Sequence, residues 1–138
     1  MSPSPLASTD QALVQLADLA SGLWFISESD HALRVVRLGV VTEAELPSAI
    51  CAQLSRVDAP VQCVALATFF ERATRSQPYH TAADRAVAER YRKLVGFLSH
   101  ELATARVYRI GEIEVDVYAL GRSLQGEWLG VATKLIET

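Results

Sequence analysis

The sequence lacks the patterns that mark secreted, membrane and disulfide-rich proteins. Only two of its 138 residues are cysteine, Cys51 and Cys63, and no CxxC spacing occurs, which argues against a disulfide scaffold. We expect both cysteines to be small buried side chains with free thiols. The chain opens with no basic and apolar leader, and no apolar run approaches membrane-spanning length. These absences predict a cytoplasmic protein that does not contact membranes.

The sequence also lacks an excess of positive charge. Its 13 basic and 16 acidic residues give a formal net charge of -3. Binding of nucleic acid requires a concentrated basic surface that neutralises phosphates. We therefore expect no direct contact with nucleic acid, whereas a basic protein partner is compatible with this charge.

Recognisable catalytic motifs are missing as well. The sequence contains no GxGxxG, P-loop, HExxH or GxSxG motif. His31, His80 and His100 lie far apart without the spacing of metal ligands, and neither cysteine has an obvious paired histidine. We therefore expect no enzyme activity, no cofactor and no metal site of the protein's own.

What is present predicts one domain, residues 1–138, in which residues 1–8 form a loose lead-in. Two capping-box spacings, Ser8 with Gln11 and Thr68 with Glu71, predict helix starts. The longest helical stripe of apolar residues lies within Ala83 to Thr104.

The last third of the chain, from Arg106 to Thr138, reads as three strands. Apolar and polar residues alternate from Glu112 to Tyr118, which predicts a half-buried strand. Ser123, Gln125 and Gly126 indicate a hairpin connection to a final strand. Helices that alternate with short strands, followed by this hairpin, predict an α/β sheet with helices on its faces.

Three acidic residues of this segment, Glu112, Glu114 and Asp116, would share one face of a strand. Neighbouring carboxylates can act in acid–base chemistry or bind a cation. Alternatively, they form a solvated face with ion pairs to Arg109 and Lys134 on adjacent strands. The sequence leaves both interpretations open.

Four stretches of the sequence resemble the nuclease A inhibitor family. Leu23–Ser29 resembles the family's LLFxSES, Phe69–Thr74 its FFxRAT, Val107–Tyr118 its VYRLGEVELDVY and Thr133–Thr138 its TKVVET terminus. The resemblance runs from Phe69 to the end and over Leu13 to Asp30, but hardly covers Leu33 to Val61.

The resemblance implies a three-layer α/β/α sandwich similar to the first class of plant pathogenesis-related proteins, with a largely antiparallel central sheet and a C-terminal β-hairpin. It also implies an intracellular protein inhibitor of a sugar-non-specific DNA/RNA nuclease with a ββα-metal active site. We expect a 1:1 heterodimer with that nuclease and a monomeric free protein.

The family's contact residues map onto Glu28, Thr138 and Tyr79, with Ser27, Ser29 and Glu137 beside them. By this resemblance, Glu28 and Thr138 approach the magnesium ion of the nuclease, and Tyr79 is an aromatic anchor on a loop between helices. Two carboxylates held in this way can imitate a phosphate by charge-assisted hydrogen bonds.

This chain departs from the family at the aromatic anchor. The family has a tryptophan preceded by an acidic residue, whereas this chain has Tyr79 preceded by Pro78. A second hypothesis therefore stays open, in which the fold is kept but serves a non-enzymatic interaction or a small-ligand or cation-binding role, with no nuclease partner.

Overall fold

A computed structural model of the chain describes residues 6–26 and 30–137. The helices are α1 (Thr9–Ala20), α2 (Leu46–Leu54), α3 (Leu66–Phe69), α4 (Glu71–Thr74) and α5 (Ala82–Glu101), with a 3-10 turn at Glu43–Glu45. The strands are β1 (Trp24–Ile26), β2 (Asp30–Ala32), β3 (Arg34–Gly39), β4 (Val61–Ala65), β5 (Ala103–Ile110), β6 (Glu114–Arg122) and β7 (Trp128–Ile136). No helix in this part of the chain has the length and apolar character needed to cross a membrane.

The main sheet has five strands in the order β3-β7-β6-β5-β4, and every neighbouring pair is antiparallel. β1 and β2 pair with each other as a separate hairpin. The predicted β6–β7 connection is confirmed, because Arg122 lies opposite Trp128 and the Ser123 amide donates to the Glu127 carbonyl at 2.9 Å. The chain is therefore a mixed α/β protein with an antiparallel sheet.

Helices pack on both faces of this sheet. One face carries a core that joins α1 and α5 to alternate strand residues such as Val117 and Val131. The other face carries a core that joins α2 to the intervening residues, such as Tyr118 and Ala132. As a result β6 is buried on both faces from Val115 to Gly121. The prediction of a half-buried strand was wrong, because β6 lies in the middle of the sheet. Of the alternating acidic residues, Glu112 precedes the strand, Glu114 lies at its exposed start and Asp116 is buried.

One predicted helix start is confirmed and another is wrong. Ser8 caps α1 through a capping box with Gln11, as the spacing predicts. Thr68 caps no helix, because it lies inside α3, which already begins at Leu66. The helix starts earlier because Leu66 is buried in the core as the chain leaves β4.

Two further expectations fail locally. α5 ends at Glu101 rather than at Thr104, because Leu102 and Ala103 are buried as β5 begins. Cys51 is buried as predicted, but Cys63 is exposed. Cys63 lies on β4, an edge strand of the sheet, so that a neighbouring strand is missing on one side.

The long helix and the hairpins define two ends of the molecule. We call one of them the opposite end, because it lies across the sheet from the end of β7. There the Glu101 carbonyl accepts from the Ala7 amide at 3.0 Å, and the Leu124 amide donates to the Ala7 carbonyl at 3.0 Å. This end therefore holds the last residue of α5 and the β6–β7 hairpin. At the "terminal end" lie the β5–β6 turn (residues 111–113) and the last residues of β7.

Candidate partner-binding surface

Two of the six predicted contact residues, Tyr79 and Glu137, lie in the part of the chain that the structure describes. Ser27, Glu28, Ser29 and Thr138 lie outside the described residues. The residues on either side of them are described, however. Their geometry fixes where the chain enters and leaves the predicted contact segments.

The early segment is bounded by the β1–β2 hairpin. Trp24 pairs with Ala32, and Ile26 pairs with Asp30. β3 runs antiparallel to β7 with Arg34 opposite Ala132. The chain that precedes β3 therefore extends toward the end of β7, so that the hairpin points to the terminal end.

Phe25 anchors this hairpin in a cluster of aromatic rings. Its ring stacks on Phe69 with a centroid distance of 5.4 Å, and its edge contacts Phe70 at 6.4 Å and Tyr91 at 6.3 Å. Aromatic pairs in such geometries add about 0.5–1.5 kcal/mol beyond area burial. Phe25 therefore packs the hairpin against α3 and α5.

Hydrogen bonds hold the hairpin further. The Tyr91 hydroxyl donates to the Trp24 carbonyl at 2.6 Å, and the Thr133 hydroxyl donates to the His31 carbonyl at 3.2 Å. Burial raises the pKa of Tyr91, so its hydroxyl stays protonated and remains a donor. The hairpin is thus attached both to α5 and to β7.

The end of β7 is fixed up to the last described residue. The Glu137 amide donates to the Ile113 carbonyl at 2.8 Å, and its carboxylate forms an ion pair with Arg109. Chain ends usually fray unless such contacts restrain them. The position from which residue 138 departs is therefore defined.

Tyr79 lies on the loop between α4 and α5 with 80% of its surface exposed. The Gln77 amide donates to His80 Nδ1 at 3.1 Å, and the His80 amide donates to the Gln77 carbonyl at 3.0 Å. Arg85 donates to the His80 carbonyl at 2.7 Å. The loop thus presents an exposed aromatic ring from a hydrogen-bonded turn.

The Tyr79 loop also lies at the terminal end. α5 has 20 residues, so it extends for about 30 Å. Its last residue is bonded at the opposite end, and halfway along it Tyr91 contacts the β1–β2 hairpin. Its first residues, which follow Tyr79, therefore reach toward the end that also holds the hairpin and Glu137.

The three acidic residues of the predicted strand face have separate environments. Glu112 lies in the turn before β6, while Glu114 pairs with Lys134 at 2.5 Å. Asp116 is 3% exposed and accepts from Arg56 at 2.8 Å. The hydrogen bond from Lys134 lowers the pKa of Glu114, so that its carboxylate is already neutralised by an ammonium.

Of the two ion-pair partners predicted for these acidic residues, Lys134 is confirmed, whereas the prediction of Arg109 was wrong. Arg109 on β5 lies opposite Val117 on β6, so both point to the sheet face that packs against α1 and α5. Asp116, which precedes Val117, points to the other face, where Arg56 lies. Within residues 6–26 and 30–137, no group of three His, Cys, Asp or Glu side chains could hold a metal ion.

Sequence reasoning missed Arg56. One nitrogen of its guanidinium donates to three oxygens: the Ile110 and Glu114 carbonyls, each at 3.1 Å, and the Asp116 carboxylate. Arg56 therefore ties the loop after α2 to the β5–β6 turn. It lies in the segment from Leu33 to Val61, which the family resemblance hardly covers. A single arginine in a polar loop gives no signal that its side chain will be partly buried.

Comparison with known proteins identifies one family. A family model described as nuclease A inhibitor-like protein matches residues 10–138, which is nearly the whole chain. The comparison with curated proteins gave no match.

Proposed function

The chain belongs to the nuclease A inhibitor-like protein family, and we propose that it is a protein inhibitor of a magnesium-dependent, sugar-non-specific ββα-metal nuclease. It binds the active site of the nuclease as a 1:1 complex and carries out no reaction itself. The family match over residues 10–138 is the observation that carries this proposal. In this role the protein acts in the cytoplasm and is monomeric until it meets the nuclease.

In the proposed complex, Glu28 and the carboxylate of Thr138 take the place of the scissile phosphate. A nuclease active site holds a divalent cation and positive side chains around a phosphate. Carboxylates there form charge-assisted hydrogen bonds, which are short and strong. Ser27 and Ser29 flank the first carboxylate, and Glu137 precedes the second.

The described residues support this arrangement through connectivity. Residue 28 follows Ile26 by two positions and precedes Asp30 by two, and residue 138 follows Glu137 directly. The two attachment points lie at the same end of the molecule, on the β1–β2 hairpin and on β7. Because each residue spans at most about 3.6 Å, neither contact residue is far from its attachment point.

Tyr79 provides the third contact as an aromatic anchor. Its ring is exposed and is held on a turn at the terminal end. Tyrosine is common among interface residues that contribute much of the binding energy, because it combines a large apolar ring with a polar group. It covers less area than the tryptophan of the family, so we expect a smaller contribution.

Pre-ordering of these segments favours tight binding. The aromatic cluster around Phe25 and the hydrogen bond from Glu137 to Ile113 restrain the two attachment points before association. Restraint in the free protein lowers the entropic cost of binding. In the proposal, the helices on both faces of the sheet form the three-layer sandwich of the family, and this scaffold supplies the restraint.

Titration of nuclease A with the purified protein tests the proposal. In Mg²⁺ buffer, hydrolysis of both DNA and RNA should fall linearly and end near one equivalent. Deleting Thr138 moves the terminal carboxylate back by one residue and so breaks its proposed contact. Loss of such a buried charged contact costs about 2–5 kcal/mol, so affinity should fall at least about 30-fold.

Two outcomes would count against the proposal. If nuclease A and other ββα-metal nucleases keep their activity in excess of this protein, the inhibitor assignment is wrong, and the second hypothesis of a changed partner is favoured. If the full chain inhibits and the deletion inhibits equally well, Thr138 does not contact the active site. Circular dichroism of the deleted protein checks that the fold is retained.

A further inference from the structure

The β5–β6 turn, residues 111–113, presents an apolar side chain beside the end of β7. Ile113 is 63% exposed, and its carbonyl accepts from the Glu137 amide at 2.8 Å. Glu114, the next residue, pairs with Ile136 in the sheet. The turn is thus in direct contact with the segment that carries the proposed terminal contact.

Hydrogen bonds from neighbouring loops restrain the backbone of this turn. Gly111 has a φ of +105°, and a Cβ there would meet the Glu114 carbonyl oxygen at 2.4 Å. The Gly111 amide donates to the Pro60 carbonyl at 2.9 Å. Arg56 bonds the carbonyls of Ile110 and Glu114, one on each side of the turn. The exposed side chains of the turn therefore project from a fixed backbone.

The turn also carries an uncompensated charge. Glu112 is exposed, and no residue in the described part of the chain pairs with it. The neighbouring carboxylates of Glu114, Asp116 and Glu137 each pair with a basic side chain. Glu112 is therefore available to a positive group on another molecule.

We propose that this turn is a further contact with the nuclease, in which Ile113 packs on an apolar patch and Glu112 faces the basic rim of the active site. The inference rests on the proposed function and adds two residues to that interface. A nuclease that binds a polyanion has positive charge around its cleft. The rigid turn lies next to the proposed contact at residue 138, so a partner seated there reaches the turn as well.

A second copy of this chain is a poorer occupant. Two-fold association through this turn would bring Glu112 of one copy close to acidic residues of the other, and the chain already carries a net charge of -3. Like charges in an interface disfavour association. Sedimentation of the free protein measures this outcome directly, and a dimer that Ile113→Asp dissociates would overturn the assignment to the nuclease.

The apolar contact is tested with Ile113→Asp and the control Val40→Asp. Val40 is 74% exposed and lies at the other end of the sheet, just beyond β3. Titration of nuclease A should show that Ile113→Asp weakens inhibition at least about tenfold, a typical loss for a central interface residue. Val40→Asp should inhibit like the unaltered protein. Equal inhibition by the two variants would overturn the role of Ile113.

The charged contact is tested with Glu112→Gln and the control Gln15→Lys. Both substitutions change the net charge by +1, but Gln15 lies on α1, away from the turn. A charge at the edge of an interface acts mainly on the association rate and its salt dependence. Glu112→Gln should slow association with nuclease A at low salt, whereas Gln15→Lys should slow it less. Equal rates for both variants would show that only net charge matters.

These tests separate the two proposals. If the unaltered protein inhibits neither nuclease A nor another ββα-metal nuclease, the proposed function fails. If the unaltered protein inhibits and the Ile113 and Glu112 variants match their controls, the inhibitor assignment stands and the turn is not part of the interface.

Discussion

The two ends of the sheet differ in how they use polar and apolar side chains. At the opposite end the contacts are internal: Thr9 and Ser123 share a buried hydrogen bond of 2.7 Å, and Trp128 donates to the Val41 carbonyl at 2.8 Å. At the terminal end, Tyr79 and Ile113 are largely exposed. The opposite end buries polar groups in internal hydrogen bonds, although Val40 and Leu124 are exposed there, while the terminal end presents exposed side chains on turns that hydrogen bonds restrain.

This difference suggests a division of roles. Substitutions at the opposite end should lower the free energy of unfolding and leave the affinity of the folded protein unchanged. Substitutions of exposed residues at the terminal end should lower affinity and leave unfolding unchanged. Four predictions, from the largest effect to the smallest, test whether the two roles separate.

Trp128→Ala should have the largest effect, on stability alone. The indole is 1% exposed and packs between the strands and α2, and removing such a side chain costs about 3–5 kcal/mol. Urea unfolding measures the loss, with Trp128→Phe as a milder control. If the folded fraction of Trp128→Ala also binds nuclease A more weakly, the two ends are coupled and the division of roles is wrong.

Arg56→Met should affect both stability and inhibition, since the half-buried Arg56 bonds the carbonyls on both sides of the β5–β6 turn. The substitution leaves the Asp116 carboxylate buried without its partner, which typically costs 3–5 kcal/mol, and about 2–4 kcal/mol here because Arg56 is partly exposed. The double variant Arg56→Met/Asp116→Leu should recover stability. It should still inhibit more weakly than the unaltered protein, because the carbonyls around the turn remain without their donor. Full recovery of inhibition would show that Arg56 contributes stability only.

Tyr79→Ala should weaken binding without changing unfolding. The ring is exposed in the free protein, so its removal exposes no core, whereas loss of an aromatic anchor from an interface costs about 2 kcal/mol. Inhibition titrations and urea unfolding measured on the same sample check both statements. Tyr79→Phe should retain most of the affinity. A fall in unfolding free energy comparable to the fall in binding would contradict the prediction.

Acid should lower the stability of each end by protonating a carboxylate that pairs with a basic side chain, Glu127 at the opposite end and Glu114 at the terminal end. Hydrogen bonds from Arg37 and Lys134 lower the pKa of Glu127 and of Glu114 respectively. A carboxyl group whose pKa is lowered by folding stabilises the folded state above its unfolded pKa of about 4.3, and this contribution is lost as pH falls through the folded pKa. Carboxyl NMR titration should show each pKa rising toward its ordinary value in Arg37→Met and in Lys134→Met. An unchanged pKa in either variant would show that the ion pair is not formed.

The strands of the last third are predictable from sequence because their signals are local. Gly111 and the residues Ser123, Gln125 and Gly126 each separate two strand-like segments, and the structure places connections at both. The double burial of β6 is not predictable in this way, since it depends on helices that come from distant parts of the chain.

The candidate site is predictable only in part. The exposure of Tyr79 follows from the loop composition around Pro78, and the pairing of Glu114 with Lys134 follows from their places on adjacent strands. The support by Arg56 depends on a contact between residues 60 positions apart. Nothing in the local sequence distinguishes this arginine from a solvated one.

The pairing of β3 with β7 has a consequence for synthesis of the protein. β3 lies near the start of the chain, and its only neighbour in the described sheet is the last strand. The ribosome adds residues at about 5–20 per second and releases the N-terminal part first. The β1–β2 hairpin and β3 therefore lack their contacts with β7 until that strand has emerged. A nascent chain therefore cannot hold both attachment points together, so the proposed contact with the nuclease forms only after translation of the domain is completed.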